Sequence, residues 1–319
     1  MISFKRFSFF HLVILLAVGC WGHAFAQTPP LAIKPLRPSQ KASVMQTVGV
    51  TDITITYSRP PVKGRTIFAD APPDMEKRHP GEETLDNQNE RKPGEPIVPY
   101  NHVWRAGANE ATLFQITDDV LINGQPLKAG TYSLELKPGK DEWTVIFNND
   151  PGQWGAFTYD KNKDALRVQA KPQAVSDNQE WLQYTFDSVT DNSATVNFRW
   201  EKVRVPFTVE VKDVKAAWRK HADEMIAANP NAEQLPLQVA AAYTRDKNYD
   251  EAMKFIDQSI KVKETFANLS AKANVLWAMG KKDDALKMAD AAIAKGKADK
   301  VNTTQFEKRV ADMKAGKLQ

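Results

Sequence analysis

Two short segments of the chain, residues 57–68 and 98–114, gather side chains that could bind a ligand or do chemistry. Cations, an indole, an amide and a carboxylate lie there among prolines and glycines, between stretches patterned like strands. Binding residues concentrate on loops that a rigid scaffold positions. We therefore expect a site for an anionic small molecule, a glycan or a peptide. The candidate binding residues are Arg59, Lys63, Arg65, Trp104, Arg105, Asn109, Glu110 and, beside a later loop glycine, Trp154.

Glu110 is the candidate residue for an enzymatic role. Its carboxylate could serve a carbohydrate-active or other hydrolase as acid or base, with neighbouring arginines in a cleft. The alternative is an ion pair to Arg59, Arg65 or Arg105 that ties two loops together. The sequence has no G-x-S-x-G, Walker or G-x-G-x-x-G motif. It therefore assigns no catalytic residue and leaves hydrolysis as an alternative to binding.

The two loop tryptophans also allow two interpretations. Trp104 and Trp154 could hold a sugar ring or a peptide end, or they could fill the core with the indole N–H bonded to a carbonyl. Metal chemistry has little support, because His79, His102 and His221 lack a second histidine at ligand spacing. His102 could act as a base beside Glu110, or it could be a solvent-facing turn residue. We expect no metal site and no cofactor.

The N-terminal sequence predicts the cellular location of the protein. Lys5 and Arg6 precede an apolar run over residues 7–21 and an Ala-Phe-Ala sequence at 24–26, the pattern of a signal peptide over residues 1–26. We expect export to the periplasm or medium after cleavage near Ala26. The alternative is an outer-membrane lipoprotein anchored through Cys20, the only cysteine. The remaining chain carries 41 basic and 39 acidic residues, so we expect neither nucleic-acid binding nor a transmembrane segment.

The elements that must position the loop residues are strands. Alternation of apolar and polar residues recurs between residues 43 and 211, as at Ile53, Ile55 and Tyr57. Asn123-Gly124 between two apolar runs predicts a tight hairpin, because both residues tolerate positive φ. About ten short strands predict an antiparallel β-sandwich or barrel-like domain over 43–212, after a linker over 27–42. Pro206 predicts that the last strand lies at a sheet edge.

One segment interrupts this pattern. Residues 70–96 are rich in proline and charge, with Met75 and Leu85 as their only large apolar side chains. Such a composition buries too little apolar surface to offset the entropy of ordering. We therefore expect a flexible insertion, with a lid or a docking tether as the alternative.

Beyond residue 212 the spacing becomes helical and an internal repeat appears. Residues 240–253 align with residues 273–286 at a 33-residue offset, with Gly280 in the turn. This resembles the tetratricopeptide repeat and implies an all-α, repeat-like domain over 213–319 that takes a protein or peptide partner. A plain helical bundle is the alternative. The whole chain is thus predicted to be a multi-domain α+β protein.

Five blocks of the β region, in their order, resemble an exported bacterial family called domain of unknown function 2911. They are YSRPPVKGRTIF, VPYNHVWRAGANEATLF, INGQPLKAGTYSLELKPGKDEWTVIFN, WGAFTYDKNKDALRV and FRWEKVRVPF. The resemblance covers residues 43–211 and implies a helical tail and no 70–96 insertion. It implies no established activity. We therefore expect an exported, non-enzymatic binding or scaffold protein, with a hydrolase or a purely structural envelope component as alternatives.

Overall fold

The computed structural model describes residues 36–78, 83–86 and 91–317. The predicted signal peptide, Cys20 and most of the predicted linker lie outside these residues, as does His79. The chain divides into two units, Met1–Arg37 and Pro38–Gln319. Only Leu36 and Arg37 of the first unit are described.

The described residues contain an antiparallel β region followed by a run of helices, as the α+β prediction states. Its strands are β1 (Gln40–Val48), β2 (Thr51–Arg59), β3 (Phe68–Ala69), β4 (Val98–Pro99), β5 (Leu113–Ile116), β6 (Val120–Ile122), β7 (Gln125–Leu127), β8 (Gly130–Lys137), β9 (Trp143–Asn148), β10 (Asp164–Ala170), β11 (Gln173–Asp187) and β12 (Ser193–Glu210). They form a six-stranded sheet in the order β1-β2-β5-β8-β9-β10 and a four-stranded sheet in the order β11-β12-β6-β7. A short parallel pair, β3 and β4, stands apart.

Apolar side chains from both large sheets meet in one core. The alternation in β2 places Ile53, Ile55 and Tyr57 inside, all at most 5% exposed. Aromatic rings fill the centre, and the Trp104 ring stacks on the Trp200 ring with centroids 5.6 Å apart. Offset or edge contacts between such rings add to the stabilisation that burial provides.

Of two local predictions for the sheets, the hairpin turn is confirmed and the edge position of the Pro206 strand is wrong. The hairpin between β6 and β7 turns at Asn123 and Gly124, which have φ of 46° and 82°, as the sequence predicts. Pro206 is not in an edge strand, because β12 lies between β11 and β6. The proline is tolerated because β12 pairs with β11 up to Arg204 and with β6 only from Val209. The missing N–H falls between the two ladders.

The helices follow directly on β12. After α1 (Pro73–Arg78) in the interrupting segment, they are α2 (Val214–Ala228), α3 (Gln234–Arg245), α4 (Tyr249–Val262), α5 (Phe266–Ala278), α6 (Lys282–Ala298) and α7 (Thr304–Lys314). The Asp213 carboxylate caps α2 by accepting the Ala216 N–H at 2.9 Å. The β core extends to α2 through Val214 and Ala217, and His221 of α2 lies 2.8 Å from the buried Asp118 carboxylate.

The 33-residue repeat corresponds to two helical hairpins, α3–α4 and α5–α6. Ala252 and Ala285, 33 residues apart, are both completely buried on the second helices. The turns also correspond, since Lys247 and Gly280 both adopt positive φ. The small side chains of Ala252 and Ala285 allow neighbouring helices to approach closely.

The described parts of 70–96 are more tightly packed than their composition predicts. Met75 and Leu85, the two large apolar side chains, are each 1% exposed. Thr84 pairs with Val103 in a parallel bridge, and Asp86 is also buried. The bridge at Thr84 and the ion pair between Asp86 and Arg105 connect these pieces to the β region. The average composition of the segment does not reveal such contacts.

Candidate anion-binding site

A pocket of about 350 Å³ lies where three loops of the β region meet. The loop after β2 contributes two prolines and two cations, and the loop between β4 and β5 contributes residues 104, 105 and 107–109. The third contribution comes from the interrupting segment. Pro38 and Ser39, just before β1, also line the pocket, and its polar side chains are Ser39, Lys63, Arg65, Asp86, Arg91, Arg105 and Asn109.

Left-handed backbone shapes two of these loops. Lys63, Ala106 and Asn109 have φ of 48°, 53° and 63°, a conformation that non-glycine residues seldom adopt. The Asn109 amide donates to the Ser39 carbonyl at 3.0 Å, which holds that turn against β1. Such backbone persists only where the surroundings determine it, and it concentrates at binding sites.

Arg105 and Asp86 form the buried floor of the pocket. The guanidinium Nε donates to the Asp86 carboxylate at 2.6 Å, and the Arg105 backbone N–H donates to the same oxygen at 3.1 Å. The two remaining guanidinium nitrogens donate to the carbonyls of Asp86 and Asn109 at 2.8 and 2.5 Å. The Phe157 ring lies 5.0 Å beneath the charge. This pair satisfies itself and braces the loop on the segment that carries Asp86.

Gly155 makes room for this pair. A Cβ at that position would lie 2.3 Å from the central guanidinium carbon of Arg105, and the residue has φ of 67°. Only glycine meets both requirements. The Arg105 side chain of the anion pocket therefore requires a glycine next to Trp154.

Arg91 supplies a second, partly buried guanidinium. Burial holds its pKa below the usual range, as does the nearby charge of Arg105 and Arg65, while Asp86 and Glu95 act in the opposite direction. Among the described residues, no acceptor takes a hydrogen bond from its buried Nε. A guanidinium in this state gains free energy when an anion reaches it.

The remaining cations lie at the exposed side. Arg65 donates to the backbone carbonyls of Val62, at 3.1 Å, and Pro61. Lys63 is exposed, and its backbone N–H donates to the Glu180 carboxylate at 2.8 Å. The pocket wall thus carries four cations and one carboxylate, a lining suited to an anion.

The other predicted residues lie elsewhere. Arg59 donates from Nε to the Leu182 carbonyl at 2.8 Å and so ties β2 to β11. Trp104 borders the pocket but is only 4% exposed and packs in the aromatic core, which favours its core interpretation. Glu110 and Trp154 line a separate pocket of about 230 Å³ with Lys41 and Gln153. The predicted set therefore divides between two pockets and a strand-to-strand contact.

Asp86 and Arg91 are the site residues that sequence reasoning missed. Both belong to the segment predicted to be flexible, so neither was considered as a ligand. Leu85 next to Asp86 was the available signal, since an apolar side chain in a polar stretch indicates a point of burial.

A buried carboxyl group lies behind the second pocket. Glu135 of β8 is completely buried, and the Gln153 amide donates to one of its oxygens at 3.3 Å. Burial raises its pKa to about 8, with a contribution from Asp164, Asp86 and Asp150, although a hydrogen bond from Ser133 lowers it. The group is therefore largely protonated at neutral pH.

The environment of His102 differs from a solvent-facing turn. His102 is buried, with Nδ1 2.9 Å from the Tyr100 carbonyl and Nε2 3.7 Å from the Glu76 carboxylate, rather than in a solvent-facing turn. Within residues 36–78, 83–86 and 91–317, no group of three or more potential ligands is placed to hold a metal ion. In the same residues no helix has the length and apolarity needed to cross a membrane.

Comparison with known proteins gives one match. The sequence matches the family described as "Protein of unknown function (DUF2911)" over residues 39–78 and 86–209. No curated protein and no solved structure matches the chain. The matched ranges include residues 70–78 and 86–96, which corrects the expectation that the family lacks this segment. These ranges run from the start of β1 almost to the end of β12, and the chain therefore belongs to the family of proteins of unknown function DUF2911.

Proposed function

We propose that this protein is an exported, non-enzymatic binding protein whose β domain captures a small anionic ligand in the pocket over the Arg105–Asp86 pair. The observation that carries the proposal is the lining of the pocket: four cationic side chains against one carboxylate. A ligand of small-molecule size fits in about 350 Å³. The export itself rests on the signal-peptide pattern of residues 1–26.

The geometry favours binding over hydrolysis. Glu110 was the candidate acid or base, and its side chain borders the second pocket while the arginines border the first. The carboxylate that does lie among the arginines, Asp86, accepts hydrogen bonds from Arg105 and is buried. A carboxylate held in this way positions a loop and is poorly placed to exchange protons with a ligand.

The helical tail supports a second role, the docking of a protein or peptide. A groove of about 310 Å³ lies between α2 and α3, lined by Trp218, Val239 and Arg245 among others. Met225 borders it and is 55% exposed, so its apolar side chain is accessible to a partner. A photo-reactive residue at Met225 should crosslink one defined partner in the exporting cell, and random labelling would count against this role.

Thermal unfolding in the presence of ligands tests the main proposal. Purified protein should unfold at higher temperature with carboxylate or phosphate compounds than with neutral sugars of the same size, because a ligand that binds only the folded state stabilises it. The double variant Lys63→Gln with Arg65→Gln should lose the shift while it still unfolds cooperatively. An unchanged unfolding temperature with every anion would favour a purely structural role.

A further inference from the structure

The cations that line the anion pocket outnumber the carboxylates that line it, four to one. Asp86 is engaged by Arg105 through both its carboxylate and its backbone carbonyl. The pair is buried, with 10% and 5% of the side chains exposed. Asp86 therefore neutralises one cation of the pocket and has little capacity left for another.

The nearby acids outside the pocket lining are also engaged. Glu95, which lies close enough to act on Arg91, forms an ion pair with Arg78 at 2.5 Å. Glu180 accepts the backbone N–H of Lys63 and so offsets part of the charge at the rim. No carboxylate of the described residues forms an ion pair within 4.0 Å with Arg91 or Arg65.

In the described part of the chain, Arg91 and Arg65 thus lack an ion-paired carboxylate, and Lys63 lines the same pocket. Their repulsion contributes to the lowered pKa of Arg91, whose Nε lacks an acceptor in the described part of the chain. A ligand with one negative charge would leave at least one of these cations unpaired in a partly desolvated pocket, which is unfavourable. A ligand with two charges would pair both guanidinium groups, and a third charge would also pair Lys63.

We propose that the ligand is a small polyanion with at least two negative charges, held between Arg91, Arg65 and Lys63 above the Arg105–Asp86 floor. This inference rests on the proposed function and narrows it. Guanidinium groups bind carboxylates and phosphates in the same forked geometry. A polycarboxylate and a phosphate compound are therefore the two sources of the same chemistry.

Two series of compounds test the number of charges, with affinity measured by isothermal titration calorimetry at pH 7.5. Propionate, succinate and tricarballylate form the carboxylate arm, and inorganic phosphate and pyrophosphate form the phosphate arm. We expect the dissociation constant to fall about tenfold with each added charge in the arm that binds, since neighbouring cations each contribute on that scale. The arm with the lower constants identifies the chemical source.

Variants connect the charge dependence to the pocket. Arg91→Gln should raise the dissociation constant of the tightest-binding polyanion about tenfold. The dissociation constant of propionate should change less than about threefold. Lys287→Gln, the same loss of charge at an exposed position of α6, should leave both unchanged. If circular dichroism shows that Arg91→Gln is unfolded, Lys63→Gln at the exposed rim replaces it, with a loss in the same direction.

The outcomes separate this inference from the function on which it rests. Propionate binding as tightly as tricarballylate would overturn the polyanion assignment and leave an anion site. Equal effects of Arg91→Gln and Lys287→Gln would also overturn it, because the charge dependence would then come from the whole surface. Absence of binding in both arms would overturn the proposed function itself.

Discussion

Replacement of Glu135 by Gln should stabilise the protein increasingly as pH rises from about 5 to 8. Glu135 is completely buried, and burial raises its pKa from 4.5 to about 8. Between these values the folded state keeps the proton and the unfolded state releases it. The free energy of unfolding therefore falls as pH rises, by about 1.4 kcal/mol per pH unit.

The difference between the two pKa values of Glu135 sets the size of the change in the free energy of unfolding. Across the whole window it corresponds to about 5 kcal/mol, and about 3 kcal/mol of this is already lost at pH 7. Glutamine has nearly the same shape and does not titrate. Its amide also replaces Glu135 Oε2, an oxygen that has no partner among the described residues, with a group that can donate a hydrogen bond.

The assay is urea unfolding monitored by tryptophan fluorescence at pH 5, 6, 7 and 8, for wild type and Glu135→Gln. The difference in free energy of unfolding between the two proteins should widen toward high pH by several kcal/mol. A constant offset caused by the substitution cancels in this comparison of slopes. Glu142→Gln, at an exposed loop position, serves as the matched control. Parallel pH curves for wild type and Glu135→Gln would refute the reasoning.

Three further predictions concern the interrupting segment, the loop at Gly155 and the contact between Asp118 and α2. Leu85→Ala should lower the free energy of unfolding by about 2–5 kcal/mol, because the side chain is 1% exposed; a urea midpoint equal to wild type would show that this segment is not anchored. Gly155→Ala should destabilise by about 1–3 kcal/mol and weaken anion binding, because the new Cβ meets the Arg105 guanidinium; unaltered calorimetric affinity would contradict this. Although burial acts to raise it, hydrogen bonds from Thr51 and His221 hold the pKa of Asp118 below its usual value of 3.8. Asp118→Asn should therefore cost about 1–3 kcal/mol at pH 7, and the difference from wild type should vanish as pH falls below that value; a difference that persists at pH 2 would argue against the ionic contact.

Local sequence signals predict the elements well. The alternation in β2, the Asn123-Gly124 turn and the 33-residue repeat each depend on the spacing of neighbouring residues. Such spacing directly reflects the geometry of a strand, a turn or a helix. The buried environments of Ala252 and Ala285 follow from the same repeat.

Features that depend on contacts between residues distant in sequence are harder to predict from the sequence. Pro206 occupies an interior strand because the ladder changes partner at that point, and a proline alone does not report which strand lies beside it. Met75 and Leu85 are each 1% exposed although the segment around them is polar. The mean composition of residues 70–96 averages over these few anchoring side chains.

The sequence by itself determines that this protein is an α+β chain with an antiparallel β region, a repetitive helical tail and membership of its family, and that cations gather in the loops at residues 57–68 and 98–114. Only the tertiary structure decides which of these side chains share a pocket. It separates Glu110 and Trp154 from the arginines and brings Asp86 and Arg91 to them. The physical reason is that secondary structure follows local spacing, whereas a binding site depends on where loops far apart in sequence meet.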